Sequence, residues 1–323
     1  MKVSVVIPAY DAVRTIDPCL SSILNQKFSH YEVIVVDGGS TDGTVERVKN
    51  YPVELVSQSK PGLAAARNIG VDVSQGDIII FLDGDCIVEP DLIRNMVKPL
   101  GNPKIGMTQG YIDIANPDSL IARLLFIKAR DVFRKLKYVD FIWTGCVAIK
   151  KQLFQKVGKF NESLKFMEDD ELAYRILDED YKIYLVKEAR FLHFFPTSLW
   201  GHVKRQAATA RWMVRLVRIS GRFTSQHGNL AEYFKLIIHG LMLLALPLIF
   251  WTPLPLIILF TLSLVSHLRI AYWAMKNDLR YILIIPFEFL TKLSWVAGSI
   301  AGLTDVILKK TEREPFNQRI SLL

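Results

Sequence analysis

Asp83 and Asp85 flank a single glycine directly after the run DIIIFL at residues 77–82. Two carboxylates so placed at the end of a buried strand can converge on one hard cation. Mg²⁺ or Mn²⁺ held there would bridge to phosphate oxygens and offset charge growing on a diphosphate leaving group. A plain Asp-Gly turn is the simpler explanation of the same three residues. Met167 precedes four acids, Glu168, Asp169, Asp170 and Glu171. Acids suit the positive end of a helix, and crowding raises the pKa of some of them. A raised carboxylate can serve as general base toward an acceptor hydroxyl.

Two further loops carry polar groups. In DGGSTDGT (residues 37–44), Gly38 and Gly39 permit close backbone approach to a ligand, and Asp37 can accept hydrogen bonds from a base or ribose. In KPGLAAARNIG (residues 60–70), Lys60 or Arg67 can meet a diphosphate, Arg67 with two donors in a fork. An ordinary surface ion pair is the alternative for Arg67.

These loops must be held by the elements between them. Residues 3–7 (VSVVI) and 31–36 (YEVIVV) read as strands buried on both faces, the first ended by Pro8. A short strand at 53–56 and a third buried one at 77–82 follow. Helices fall between them, with Ile16, Leu20, Ile23 and Leu24 at helical spacing and a last helix over 63–71. Such βαβαβ order predicts an α/β fold with a mostly parallel sheet. Ligands of such sheets bind beyond the strands' carboxyl ends, where the loops lie. Residues 101–190 read as an inserted or extended acceptor-side region, with a helix near 120–137, a turn at Thr144-Gly145 and a helix over 169–177.

The second half changes character. Residues 199–222 predict a helix on which Arg211, Arg215, Arg218 and Arg222 fall within about 40° of Lys204. No acid occurs between Glu188 and Glu232. A solvated surface helix is the plain alternative, but the hydrophobic region that follows favours a membrane interface, with the basic stripe on lipid phosphates. Residues 236–264 are apolar except for His239 and a few hydroxyls, longer than the ~20 residues a span needs. One tilted span or a hairpin turning at residues 252–255 both fit; the hairpin keeps Arg269, Lys276 and Arg280 on the catalytic side. A third stretch, 281–308, carries Glu288 and Lys292 at i,i+4 and a GxxxG at Gly298 and Gly302. The expected organisation is a catalytic domain over 1–198, a basic interface helix and linker over 199–230, two or three membrane helices over 233–308 and a basic cytoplasmic tail over 309–323.

Taken together, VSVVIPAYDA, VVDGGSTDGT, KPGLAAARNIG, FLDGDCIVEP, TGCVAIKKQLFQKVGKFNE and MEDDELAYRI resemble the family 2 glycosyltransferases of GT-A fold, over about residues 1–205. The resemblance implies a Rossmann-like nucleotide-binding sheet and transfer of a sugar from a UDP- or GDP-linked donor, with inversion. By it, Pro8, Ala9 and Tyr10 line the nucleoside pocket, Asp37 holds the base and Arg67 helps hold the nucleotide. Asp85 is the principal metal ligand, Asp83 serves ribose or metal, Gly145 and Glu168 lie on the acceptor side, and Asp169 is the catalytic base. His193 lies where some members carry a histidine near the donor phosphates; the other reading is a histidine packed beside Phe194 and Phe195. Gly38 stands where the family commonly has a second aspartate, which leaves base preference open. Gln206 and Arg211-Trp212 are separated by four residues, not the two of the QxxRW found in processive synthases. Single-sugar transfer is therefore expected, to a polyprenyl-linked saccharide, with a polyprenyl-phosphate hexose synthase as the rival.

Composition narrows the rest. The chain has 323 residues, 22% charged, and Lys+Arg exceed Asp+Glu by 40 − 32 = 8. The mean hydropathy is +0.23, high for a purely soluble protein. The basic residues flank hydrophobic sequence instead of interleaving with exposed aromatics, so nucleic acid is not an expected partner. Cys19, Cys86 and Cys146 are widely spaced and form no CxxC, which argues against a disulfide scaffold or structural zinc and for a reducing compartment. The opening MKVSVVIPAY enters a strand at once and has no signal-peptide pattern. The expected location is the cell membrane, multi-pass or hairpin-anchored, with the catalytic domain cytoplasmic. A catalytically silent membrane adaptor is a rival that the DGD and ED pairs disfavour.

Overall fold

A computed structural model of the chain describes residues 1–134, 136–221, 230–245, 254–275 and 283–308. The chain divides into two compact units, one of Met1–Pro117 with Val132–Phe195, the other of Asp118–Asp131 with Pro196–Leu323. The boundary expected at 198 thus falls close to Phe195, and the segment Asp118–Asp131 groups with the C-terminal helices.

The first unit is built on one nine-stranded sheet of order β3-β2-β1-β4-β8-β6-β9-β5, with β7 paired to β9. Its strands are β1 (Val3–Ala9), β2 (Tyr31–Asp37), β3 (Glu54–Ser57), β4 (Ile78–Leu82), β5 (Cys86–Val88), β6 (Ile105–Ile114), β7 (Tyr138–Val139), β8 (Cys146–Lys150) and β9 (Lys182–His193). The helices of this unit are α1 (Ile16–Leu24), α2 (Thr44–Val48), α3 (Leu63–Val73), α4 (Leu92–Val97), α6 (Lys151–Lys156) and α7 (Glu168–Asp178), while α5 (Leu120–Phe133) belongs to the second unit as far as Asp131. The expected parallel sheet is present across β3, β2, β1 and β4. Beyond β4 the pairing is mixed, since β8 runs antiparallel to both β4 and β6, while β6 and β9 are parallel.

Two expectations are corrected here. Pro8 does not end β1, which continues to Ala9 opposite Asp37. The ladder with β4 stops at Val6, so proline's missing N–H falls beyond the two-sided ladder. Residues 101–190 are no insertion; they supply β6, β8 and β9 to the same sheet. Every residue of β1 and β4 is buried, as continuous apolar strands covered on both faces must be. Gly70 seats α3 on the sheet, because a Cβ there would lie 2.3 Å from a methyl of Val6.

Among the described residues the second unit holds α5 as far as Asp131 and four longer helices: α8 (Leu199–Ser220), α9 (Leu230–Ala245), α10 (Leu254–Met275) and α11 (Ile284–Ile307). The expected hairpin turn at 252–255 lies partly outside the described residues, which omit 246–253; Leu254 and Pro255 open α10. Among the described residues α11 is long and apolar enough to cross a membrane, by length and composition. Its charged side chains, Glu288, Lys292 and Asp305, are buried. Glu288 is buried and lies 3.0 Å from Lys128, Asp305 pairs with Arg211, and Thr291 is hydrogen-bonded to His202 at 3.1 Å. Its large exposed side chains, Leu290, Ile300, Leu303 and Ile307, are apolar. α11 and α8 meet at the GxxxG, where Gly298 faces the backbone of Ala207 and Gly302 that of Arg211.

Candidate active site

The site gathers at the strand ends of the first unit. Asp83 leaves β4 with its N–H bonded to the Gly145 carbonyl at 3.2 Å, just before β8 begins. The chain turns at Gly84, the Asp83 carbonyl accepts from Cys86 N–H at 3.1 Å, and β5 starts. β5 is antiparallel to β9 with Cys86 directly opposite His193. This pairing carries the last residue of β9 to the second aspartate, and His193 Nε2 lies 3.4 Å from Asp85 Oδ2.

Arg67 joins the two acidic motifs. Its guanidinium is fully buried, with Nη2 2.9 Å from Asp83 Oδ1 and Nη1 2.9 Å from Glu168 Oε1. The cation also lies over the Phe160 ring, 5.4 Å from its centroid. Asp83 and Glu168 hold Arg67 firmly charged, against the burial that opposes its charge. Arg67 was expected to meet the nucleotide; instead it is enclosed and fixes Asp83 and Glu168. Beside it, the Asn68 side-chain amide donates to the Phe160 carbonyl and to Glu162, and its oxygen accepts from Phe160 N–H, all at 3.0 Å. That clamp sets the loop leading toward α7.

α7 opens at Glu168 after Met167, whose φ of +69° turns the chain sharply into the helix. Burial and the neighbouring Glu168 carboxylate push the Asp169 carboxyl up to about 7, with Arg67 opposing. Burial, Asp169 and Glu168 hold Asp170 well above the ordinary carboxylate range. Glu171 instead forms a two-bond pair with Arg175, at 2.9 and 2.6 Å. One of four adjacent acids is thus poised near neutrality and partly accessible.

The nucleoside-side residues fall at the ends of β1 and β2. Pro8 and Ala9 are buried and Tyr10 is half-buried. A Cβ at Gly38 would lie 3.3 Å from the Tyr10 ring, so the missing aspartate leaves room that the ring fills. The buried Asp37 carboxylate accepts from Gly39 N–H at 3.0 Å and Ser40 N–H at 3.2 Å. It shapes its own loop before it meets any ligand, a role the residue type alone did not disclose. Asp42 accepts from Thr44 N–H at 3.0 Å, two residues on, where α2 begins. Lys60 is exposed and sits 3.8 Å from Glu162, so no carboxylate of the DGD engages it.

The donor set at Asp85 suits a small divalent cation. One donor atom each from Asp85, His193 and Cys86 lies within 4.8 Å of the others, and Asp85 is 41% exposed. His193 also packs edge-on against Phe195, centroids 4.8 Å apart, as the packed-histidine reading expects. Cys19, Cys86 and Cys146 are all buried and free. Their convergence behind the DGD was missed, because no spacing rule links residues so far apart. In the second unit, Lys204 and Arg218 are exposed and Arg215 lies over Trp212 at 5.0 Å. Arg211 departs from the expected lipid contact by pairing with Asp305. Arg222 lies outside the described residues.

A parallel half-sheet with acids at its carboxyl edge, joined to strands that return a histidine to that edge, has the GT-A class of fold. Residues 4–158 match the family model "Glycosyl transferase family 2", which identifies this segment as a family 2 glycosyltransferase domain. Glycosyltransferase AglE of Haloferax volcanii is 29% identical over 195 residues, covering 56% of this chain and 63% of AglE. A cholesterol galactosyltransferase of Borreliella burgdorferi is 31% identical over 169 residues, 49% of this chain and 43% of that one. The chain thus spans less than two thirds of either relative's length. Among solved structures, the mannosyltransferase PcManGT of Pyrobaculum calidifontis, in complex with GDP-Man and Mn²⁺, superimposes with a TM-score of 0.63 at 19% identity. That match covers 96% of this chain and 88% of the other.

Proposed function

We propose that this chain is an inverting glycosyltransferase that moves one sugar from a nucleotide-sugar to a hydroxyl of a membrane-borne, lipid-linked acceptor. The observation that carries the reading is Arg67, buried between Asp83 of the DGD and Glu168 of the acidic run. A single side chain thereby sets the donor-side carboxylates and the base, Asp169, in one frame. The GDP-Man and Mn²⁺ held by the Pyrobaculum mannosyltransferase support a nucleotide-sugar donor and a divalent cation.

Pro8, Ala9, Tyr10 and the Asp37 loop would receive the nucleoside. Asp85 and His193 would hold the cation, whose charge offsets that of the leaving diphosphate. The nitrogen donor favours Mn²⁺ over Mg²⁺. Asp169 would take the acceptor hydroxyl's proton as its oxygen attacks the anomeric carbon from the face opposite the diphosphate. Its raised pKa makes it a stronger base than an exposed aspartate, and keeps enough of it ionised near neutral pH. Gly145, whose Cβ would reach within 3.8 Å of Asp83, would border the acceptor side.

Membrane attachment rests on α11 and on the exposed apolar faces of α9 and α10, Leu241, Leu244, Ile257, Phe260 and Val265 among them. With the basic residues of α8 at the headgroups, the catalytic domain would lie on the cytoplasmic side of a multi-pass anchor. The test is nucleotide release from a panel of UDP- and GDP-sugars by detergent-purified protein, with and without lipid extract and EDTA. Release that needs both lipid and metal is expected. Folded protein that binds and cleaves no donor would sink the reading.

A further inference from the structure

Cys86 directly follows Asp85 and takes no part in the proposed transfer. It stands opposite His193 in the β5–β9 pair, so both side chains project from the same face. Its thiol donates to Asp85 Oδ1 at 3.7 Å. Carboxylate oxygen, ring nitrogen and sulfur come within 4.8 Å of one another. Donors around a tetrahedral ion with bonds of about 2.0–2.3 Å are roughly 3.3–3.8 Å apart, so closure by about 1 Å would make all three ligands.

We propose that Cys86 makes the Asp85–His193 pair a mixed oxygen, nitrogen and sulfur site that takes one thiophilic divalent cation, Zn²⁺ or Cd²⁺, in preference to Mg²⁺ or Mn²⁺. The inference rests on the reading of Asp85 and His193 as cation ligands. Soft thiolate selects these ions, whereas carboxylate and water serve the hard ones. The sulfur stands as a thiol that donates to Asp85. Binding breaks the S–H bond, the electron pair forms the metal–sulfur bond, and the proton passes to solvent. Nothing is oxidised or reduced. Because two ligands are shared, the thiophilic ion competes with Mn²⁺ for the site.

Cd²⁺ titration of the full chain in detergent tests this, read by thiolate-to-cadmium charge-transfer absorption and by proton release. One equivalent should raise the band and release one proton in wild type, Cys19→Ser and Cys146→Ser. Cys86→Ser should lose the band. His193→Gln keeps the thiol and should weaken Cd²⁺ binding by about tenfold or more; this variant carries the test if Cys86→Ser misfolds. A wild type without the band, a Cys86→Ser protein that keeps it, or a His193→Gln protein that titrates like wild type overturns the proposal. The band needs no donor, so failure of the transfer reading is seen separately, in nucleotide release.

Discussion

Arg67 and Glu168, 101 residues apart in the chain, meet at 2.9 Å with both side chains buried. The same guanidinium reaches Asp83. A cation enclosed between two carboxylates is costly to desolvate, and breaking one partner leaves an uncompensated charge inside. Arg67→Met should therefore lower stability by about 3–5 kcal/mol, measured by urea unfolding of the detergent-solubilised protein. Arg67→Lys should recover only part of it, since one ammonium cannot satisfy both carboxylates in fork geometry. A fully stable Arg67→Met protein would show that the triad is not enclosed.

Asp169 ties activity to pH. Its carboxyl is raised to about 7 by burial and Glu168, and a general base works only when ionised. Turnover should fall about tenfold per pH unit below that value. Asp169→Asn should lose roughly 10²–10⁴-fold in turnover while donor affinity is kept. Stability moves the other way. A raised carboxyl favours the fold while protonated, and that contribution is lost as pH rises through about 7. The amide keeps it, so Asp169→Asn should be the more stable protein at about pH 8 and match wild type near about pH 4. An acid limb that persists unchanged in the residual activity of Asp169→Asn would move the base elsewhere.

The two aspartates of the DGD should separate by phenotype. Asp85 is partly exposed beside His193, whereas Asp83 is bonded to Arg67. Asp85→Asn and His193→Gln should raise the Mn²⁺ needed for half-maximal turnover at least as much as loss of an outer partner does, roughly 10–100-fold. Asp83→Asn should chiefly lower stability, because it unpairs Arg67. Titrating Mn²⁺ back after EDTA measures the first effect, and thermal unfolding the second. Equal metal dependence in both aspartate variants would contradict the division.

What the sequence disclosed follows from where the signal resides. The placement of Asp83, Asp85 and Asp169 at strand and helix ends was legible because short motifs there are local. Arg67 was legible as a residue but not as a buried one, since its burial depends on Asp83 and Glu168 arriving from other elements. Strands β6 and β9 escaped notice for a different reason. In IGMTQGYIDI and KIYLVKEARFLH polar residues interrupt the apolar run, and the pairing shifts register between Gly110 and Tyr111. Those irregularities blur the periodicity on which strand recognition depends. Arg211 misled because a helical wheel shows a stripe but not Asp305 on a helix 94 residues later.

Gly298 gives the packing of the second unit a direct test. An alanine Cβ there would lie 2.0 Å from the carbonyl oxygen of Ala207, and backbone on backbone has no rotamer with which to yield. α8 and α11 would have to separate, loosening the Arg211–Asp305 pair one turn further along. Gly240 in α9 has nothing within 4 Å of the same added atom. By helix propensity alone, either Gly→Ala change should stabilise by about 0.8–1 kcal/mol. Gly298→Ala should nevertheless lower the unfolding temperature in detergent, while Gly240→Ala leaves it unchanged or raises it. If both variants unfold alike, α11 does not rest on α8 through its glycines.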